Sequence, residues 1–426
     1  MTAATALRDR GALGNGVRYL VRERPGAEVT TVAVWLLVGS RDEAVPGAAH
    51  LLEHVVMQAV PPGRRLRVID EIEATGGDAN AMTSRDAVVL HARVPTPDAA
   101  ATLALLIEAA TIRDFDAELV EAEKRVVIEE LRLAAADPTD VVHDGFFTAA
   151  FGGHPIGRPV GGTPAGVAAL GPAELTRWSR DGVRAGLVGV VVSGGLPLDE
   201  VTRIVGSGPL GALPASGGVP AGPAPEFSAA RHDLALASDT AGVVLGGPAY
   251  ALTDRRLAVA EVVMELLAGG NASVLTEEIR SARGLSYDVT GDATGYRDTG
   301  VWRVALSTAP EHRDEVVDLA TELIRDTVAR GWTEAEVAVA RRRVGGLLRL
   351  DTESSLDEVF LLGQYALAGG WAGWTLAEQL ERLSAIGADD VNDCARFMTQ
   401  RMVVSTAGGA GDHDTDAGED DGGGDY

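Results

Sequence analysis

The chain has 426 residues, 46% hydrophobic and only 4% aromatic, so two or three domains with cores of Ala, Val and Leu are expected. A formal charge of −25 makes nucleic acid and anionic membrane surfaces poor partners. The single cysteine, Cys394, excludes an intrachain disulfide and a cysteine-based metal site. The start lacks an apolar signal core and no run of about 18 apolar residues occurs, so a cytoplasmic protein that does not span a membrane is expected.

In chain order, residues 17–21 and 29–38 read as strands separated by the turn Arg24-Pro25-Gly26. A loop over 39–43 and the pair Pro46-Gly47 announce a helix containing His50 and His54. Residues 65–75 read as a second amphipathic helix, ended by Gly76-Gly77, and 79–84 and 87–94 as strands. Helices follow over 98–112 and 116–136, the latter stopped by Asp137-Pro138. The Gly/Pro/Ala-rich stretch 207–225 reads as a linker. Beyond it come a strand (241–245), a long helix (254–267), the segment 279–288, strands (288–296, 301–307) and helices (311–329, 334–350). That order repeats the first half, which points to an internal duplication. The helix in the place of the His50 helix contains Val259-Ala260-Glu261-Val262-Val263-Met264 and no histidine, so one half alone can hold a metal. The expected division is 1–206, linker 207–225, a second domain 226–407, and a Gly/Asp-rich disordered tail 408–426.

The stretch His50-Leu51-Leu52-Glu53-His54 concentrates the chemistry. Positions i and i+4 of a helix share a face, so both imidazoles can reach one cation, and Glu53 falls on the same flank as a base. Imidazole suits Zn²⁺, and the order H-x-x-E-H inverts the commoner zinc-peptidase arrangement. A third ligand should come from a rigid element. The 116–136 helix offers Glu121, Glu123, Glu129 and Glu130. Glu123 and Glu130 stand seven apart, on one face close to Leu119, Val126 and Leu133, which predicts that both point toward packed protein. An ordinary solvated face suits Glu121 and Glu129 better. Periodicity leaves the choice of ligand open.

Over almost its whole length the chain resembles the pitrilysin/insulinase family of zinc peptidases, in the short two-domain branch that includes mitochondrial processing peptidase. The resemblance rests on His50, Glu53 and His54, on Val126-Val127-Ile128-Glu129-Glu130-Leu131-Arg132, on Gly76-Gly77 with Asn80-Ala81 and Thr83-Ser84-Arg85-Asp86, and on His154-Pro155-Ile156-Gly157-Arg158-Pro159. In the second half Glu278-Ile279-Arg280 and Arg283-Gly284-Leu285-Ser286-Tyr287 match the family's R…Y element. The resemblance implies one Zn²⁺ per chain on His50, His54 and Glu130, Glu53 as general base, and Glu123 as an accessory carboxylate of the catalytic group. It implies that Arg280 and Tyr287 orient substrate carbonyls, and that an extended peptide pairs with an edge strand around Asn80, Ala81 and Met82.

The implied fold class is α+β: two homologous α/β domains, each a mostly antiparallel sheet covered by helices, closing with a second subunit as a clamshell. Carrying both the zinc motif and the Arg/Tyr pair favours a homodimer over a heterodimer with a related subunit. The activity expected is a zinc endopeptidase or oligopeptidase acting on leader peptides, presequences or fragments. The alternatives are a non-catalytic scaffold or the catalytic half of an obligate heterodimer.

Overall fold

The computed structural model describes residues 10–218, 224–368 and 375–409. The first half contains β1 (Arg10–Ala12), β2 (Arg18–Glu23), β3 (Val29–Leu36), α1 (Ala48–Gln58), α2 (Val68–Glu73), β4 (Asp78–Thr83) and β5 (Val88–Pro95). It continues with α3 (Ala99–Ala110), α4 (Ala117–Ala134), α5 (Pro138–Phe151), α6 (Pro164–Ala169), α7 (Pro172–Gly182), β6 (Val188–Gly194) and α8 (Leu198–Ser207). The second half contains β7 (Ala230–Leu234), β8 (Ala241–Ala249), α9 (Leu257–Ala268), a wide π-helical stretch (Thr276–Ala282), β9 (Ser286–Gly295) and β10 (Gly300–Thr308). Then come α10 (Arg313–Arg330), α11 (Glu334–Asp351), α12 (Ser355–Leu362), α13 (Leu376–Ala385), α14 (Ala388–Met398) and β11 (Val403–Ala407). Of the tail expected from 408 onward, only Gly408 and Gly409 belong to the described residues.

The strand order of the first sheet is β1-β2-β6-β3-β5-β4, and that of the second is β7-β11-β8-β10-β9. Apart from β1 the two orders are copies. The late strand of each half pairs parallel with its first strand (β6 with β2, β11 with β7), and every other pairing is antiparallel. The class is therefore α+β, built from two related sheets. β6 and β8 are buried along their whole length, and both are interior strands covered on two faces, which is why they read as unbroken apolar or small-residue runs.

Each sheet borrows a helix from the other half. Helix α5 crosses to the second sheet, where Val142, Phe146, Phe147 and Phe151 pack with Phe227, Val244 and Val301. In return α12 lies on the first sheet, setting Val359 and Leu362 against Ala33, Trp35, Val89 and Val191. Glu358 anchors it: its carboxylate accepts from Arg22 Nε (3.0 Å), Arg24 Nη2 (2.7 Å) and Ser193 Oγ (2.7 Å).

Two expected helices and one unassigned segment differ in extent or gain their structure here. Helix α2 starts at Val68 rather than 65, because the Val68 N–H is held by the Ala59 carbonyl at 3.0 Å while Arg67 stays extended. Helix α9 starts at Leu257 because Asp254 Oδ1 turns back to accept from the Arg256 N–H at 2.9 Å. In the segment 279–288 the π-helical stretch ends at Ala282 and β9 begins at Ser286.

Candidate metal centre

Helix α1 forms because Leu51, Leu52, Val55 and Val56 line one buried stripe facing the first sheet. Its entry is fixed by Gly47, which has φ +97° and lies so close to Val167 that an added Cβ would stand 2.6 Å from Cγ2. The buried Glu43 carboxylate accepts from the Gly47 N–H (2.8 Å) and the Ala49 N–H (2.9 Å), satisfying two donors at the helix start. Burial pushes that carboxyl up to about 7 against those hydrogen bonds.

Helix α4 packs across α1 through Val120 and Val127. The crossing brings His50, His54 and Glu130 together, with one ligand atom from each lying within 4.8 Å of the others. His50 Nε2 is 3.8 Å from Glu130 Oε1, and His54 Nε2 is 3.4 Å from Glu130 Oε2. The two rings meet edge to face with centroids 4.9 Å apart. Glu123 stands on the other side of His54, its Oε2 3.4 Å from Nδ1. It therefore orients one imidazole instead of completing the set of three.

Of the two carboxylates, Glu123 points toward packed protein as expected and Glu130 does not. The Glu123 side chain is 13% exposed, whereas that of Glu130 is 53% exposed. Val126 (52%) and Leu133 (68%) look outward. The packed face of α4 runs through Val120, Lys124 and Val127; of the apolar heptad Leu119 packs half-buried against the same core while Val126 and Leu133 border solvent, and the two glutamates lie between these faces.

Burial holds the His50 pKa below the usual imidazole range; Glu53 pulls it up, His54 pushes it down and Glu130 pulls it up. Nδ1 of His50 is buried against Gly161, whose backbone pulls the His50 pKa up, and an added Cβ on that glycine would sit 3.4 Å away. Neutral imidazole is the form that ligates a metal. Two imidazoles and one half-exposed carboxylate suit Zn²⁺ with one position left open.

Glu53, also on α1, takes a hydrogen bond from Thr83 Oγ1 at 2.5 Å. Thr83 ends β4, the open edge of the first sheet. There Asn80 stands opposite His91, Ala81 opposite Leu90 and Met82 opposite Val89. The Ala81 N–H bonds to Asn80 Oδ1 at 2.8 Å instead of to β5, which marks Ala81 as turned toward the open edge. Asn80 and Met82 are exposed.

Arg280 and Tyr287 lie in the second half. Arg280 sits on the π-helical stretch, its guanidinium 5.3 Å from the centre of the Tyr287 ring, which is 84% exposed. Among the described residues no hydrogen bond, ion pair or ring contact joins either of them to the His50/His54/Glu130 cluster.

The other motif residues brace the site. Arg85 and Asp86 follow the end of β4 and do not extend its edge. Arg85 Nε donates to the Ile156 carbonyl (2.9 Å) and its guanidinium lies 3.4 Å from the Phe147 ring centre. Asp86 takes Arg41 (3.2 Å) and the Arg297 N–H (2.8 Å), tying the halves together. Arg158 donates to the Glu43 carbonyl at 3.2 Å. Sequence reasoning did not single out Glu43 or Thr83 for these contacts; a short acid-to-glycine spacing before α1 is the signal that would have found Glu43.

The family model described as Insulinase (Peptidase family M16) matches residues 18–164, and the one described as Peptidase M16 inactive domain matches 174–344. A protein named as an uncharacterized zinc protease of Streptomyces coelicolor is 30% identical over 409 residues, covering 94% of this chain and 89% of its own. The chain belongs to peptidase family M16. It is a zinc metalloprotease, a hydrolase with Zn²⁺ as its cofactor. It is also similar to the beta subunit of mitochondrial-processing peptidase from Blastocladiella emersonii, 27% identical over 372 residues, covering 84% of this chain and 79% of that one. A solved peptidase M16 inactive domain from Pseudomonas fluorescens has the same fold, with a TM-score of 0.84 at 20% identity over 94% of this chain and 98% of that one. The His/Glu cluster falls within the first matched region, and Arg280 and Tyr287 within the second. No helix among the described residues is long and apolar enough to cross a membrane.

Proposed function

We propose that this M16 peptidase cleaves extended peptides at His50, His54 and Glu130, with Glu53 as general base. Zn²⁺ held there supplies a Lewis acid that acidifies water and polarises a carbonyl. Glu53 accepts the proton of the attacking water as its oxygen adds to the scissile carbonyl carbon. The same carboxyl then returns that proton to the amine as the C–N bond breaks. Glu123 keeps the His54 ring turned through Nδ1. The open edge of β4 around Asn80, Ala81 and Met82 takes the substrate backbone as an added strand, so the substrate segment must already be extended. Leader peptides, presequences and fragments satisfy that demand.

Arg280 and Tyr287, stacked and exposed away from this cluster, suit a role on the substrate bound by a second subunit. A homodimer with two composite sites is the arrangement proposed, with a related partner subunit as the alternative. The observation that carries the reading is the joint placement of the ligand triad, the base and an open strand edge, with Thr83 of that strand bonded to Glu53. Glu53→Gln is expected to retain stoichiometric zinc and to lose cleavage of a fluorogenic peptide by about 100-fold or more. Undiminished cleavage removes Glu53 as the base.

A further inference from the structure

We infer that the Thr83 hydroxyl positions the Glu53 carboxylate, so that the strand receiving substrate also sets the base. The inference rests on the reading of Glu53 given above. A glutamate reaches its carboxylate through three rotatable bonds, and a helix fixes only where the chain leaves the backbone. The Thr83 contact, at 2.5 Å, is the one hydrogen bond that the Glu53 carboxylate makes among the described residues. That length is typical of a hydroxyl donating to an ionised oxygen.

The donor is itself held. Thr83 is β-branched, which stiffens χ1, and its backbone is paired in register with Val88. Nothing in the sheet needs its hydroxyl, because the ladder uses backbone groups alone. Occupying Oε2 leaves Oε1 as the oxygen that takes the proton. Thr83 also lies two residues beyond Ala81, on the same face of β4. A peptide that pairs with this edge and settles the strand therefore settles the base with it. Thr83 is thus a positioning residue, acting through Glu53 and not on the substrate itself.

The test compares Thr83→Val, Thr83→Ser and Glu53→Gln in the full chain loaded with zinc. The readouts are kcat and KM on a fluorogenic peptide and bound zinc by metal analysis. Affinity of the metal-free protein for the same peptide is measured beside them. Valine keeps the branched shape and removes the hydroxyl; serine keeps the hydroxyl. Thr83→Val is expected to lower kcat about tenfold, with KM, zinc content and metal-free peptide affinity unchanged. Thr83→Ser is expected to recover most of the loss. A crystal structure of the metal-free Thr83→Val chain should show the Glu53 carboxylate away from its present place. Wild-type kcat in Thr83→Val beside an inactive Glu53→Gln overturns the inference while leaving the base in place. So does an equal fall in the valine and serine variants, or a rise in KM alone. An active Glu53→Gln instead overturns the base reading, and this inference with it.

Discussion

Where α1 crosses α4 in the first half, two imidazoles face a carboxylate; where α9 meets α11 in the second, Glu265 pairs with Arg343. Both second helices of these pairs are 18 residues long, and both sheets follow the same strand order. The first helix of each pair buries an apolar stripe: Leu51, Leu52 and Val55 in one, Ala260, Val263 and Leu267 in the other. Packing therefore preserves the crossing, while the few polar positions on its rim are free to carry a metal site or an ordinary ion pair. Each half also buries one carboxyl near its first helix. Glu43 caps α1, and Glu261 on α9 accepts from the Tyr365 hydroxyl at 3.0 Å. Glu261 keeps part of its surface exposed, yet burial pushes its carboxyl up to about 7, as it does for Glu43.

The exchange of helices sharpens the comparison. Helix α5 holds the second sheet with aromatic side chains, whereas α12 holds the first through a charge, the Glu358 carboxylate, whose side chain is 5% exposed beside Arg22 and Arg24. Removing Glu358 takes an acceptor from each of Arg22, Arg24 and Ser193, while Arg24 still donates to the Thr352 and Glu353 carbonyls. Glu358→Ala is expected to cost on the order of 3 kcal/mol of unfolding free energy in a urea titration, roughly 1 kcal/mol for each residue that loses this acceptor. A loss within experimental error would mean that α12 is held by its apolar face alone.

A smaller effect separates the two buried carboxyls from ordinary surface acids. Their folded pKa of about 7 lies above the unfolded value of 4.5, so the folded state favours the protonated form. That contribution is fully present below pH 4.5 and is lost as pH rises through 7. For Glu43 it amounts to on the order of 2–3 kcal/mol. Glu43→Gln should therefore flatten the fall in stability between pH 5 and 8, and adding Glu261→Gln should flatten it further. An unchanged slope would show that these groups ionise without cost.

Much of this was legible in the sequence because spacing carries geometry. The i, i+4 histidines do share a face of α1, whereas the place of β4 at the sheet edge was expected from the family resemblance and not from spacing. The internal repeat predicted two related sheets, and two related sheets are present. Other features depend on contacts that no local pattern encodes. That α5 and α12 trade sheets rests on contacts between the halves, with Phe146 and Phe147 on one sheet and Val359 and Leu362 on the other. Val126 and Leu133 misled, because an apolar stripe marks burial only where something packs against it, as it does at Leu119. The neighbouring stripe, through Val120, Lys124 and Val127, about a third of a turn round the helix, is the one that meets α1. Glu123 and Glu130 are equivalent by period; the positions of the two rings tell them apart, with His54 Nδ1 toward Glu123 and both Nε2 atoms toward Glu130.

Metal analysis of the purified full chain and of its His54→Ala variant, after dialysis against a weak chelator, tests the central claim most directly. The account predicts one zinc per wild-type chain and loss of that zinc in the variant, with the fold retained by circular dichroism. A wild-type chain without stoichiometric zinc, or a variant that keeps it, would contradict the account.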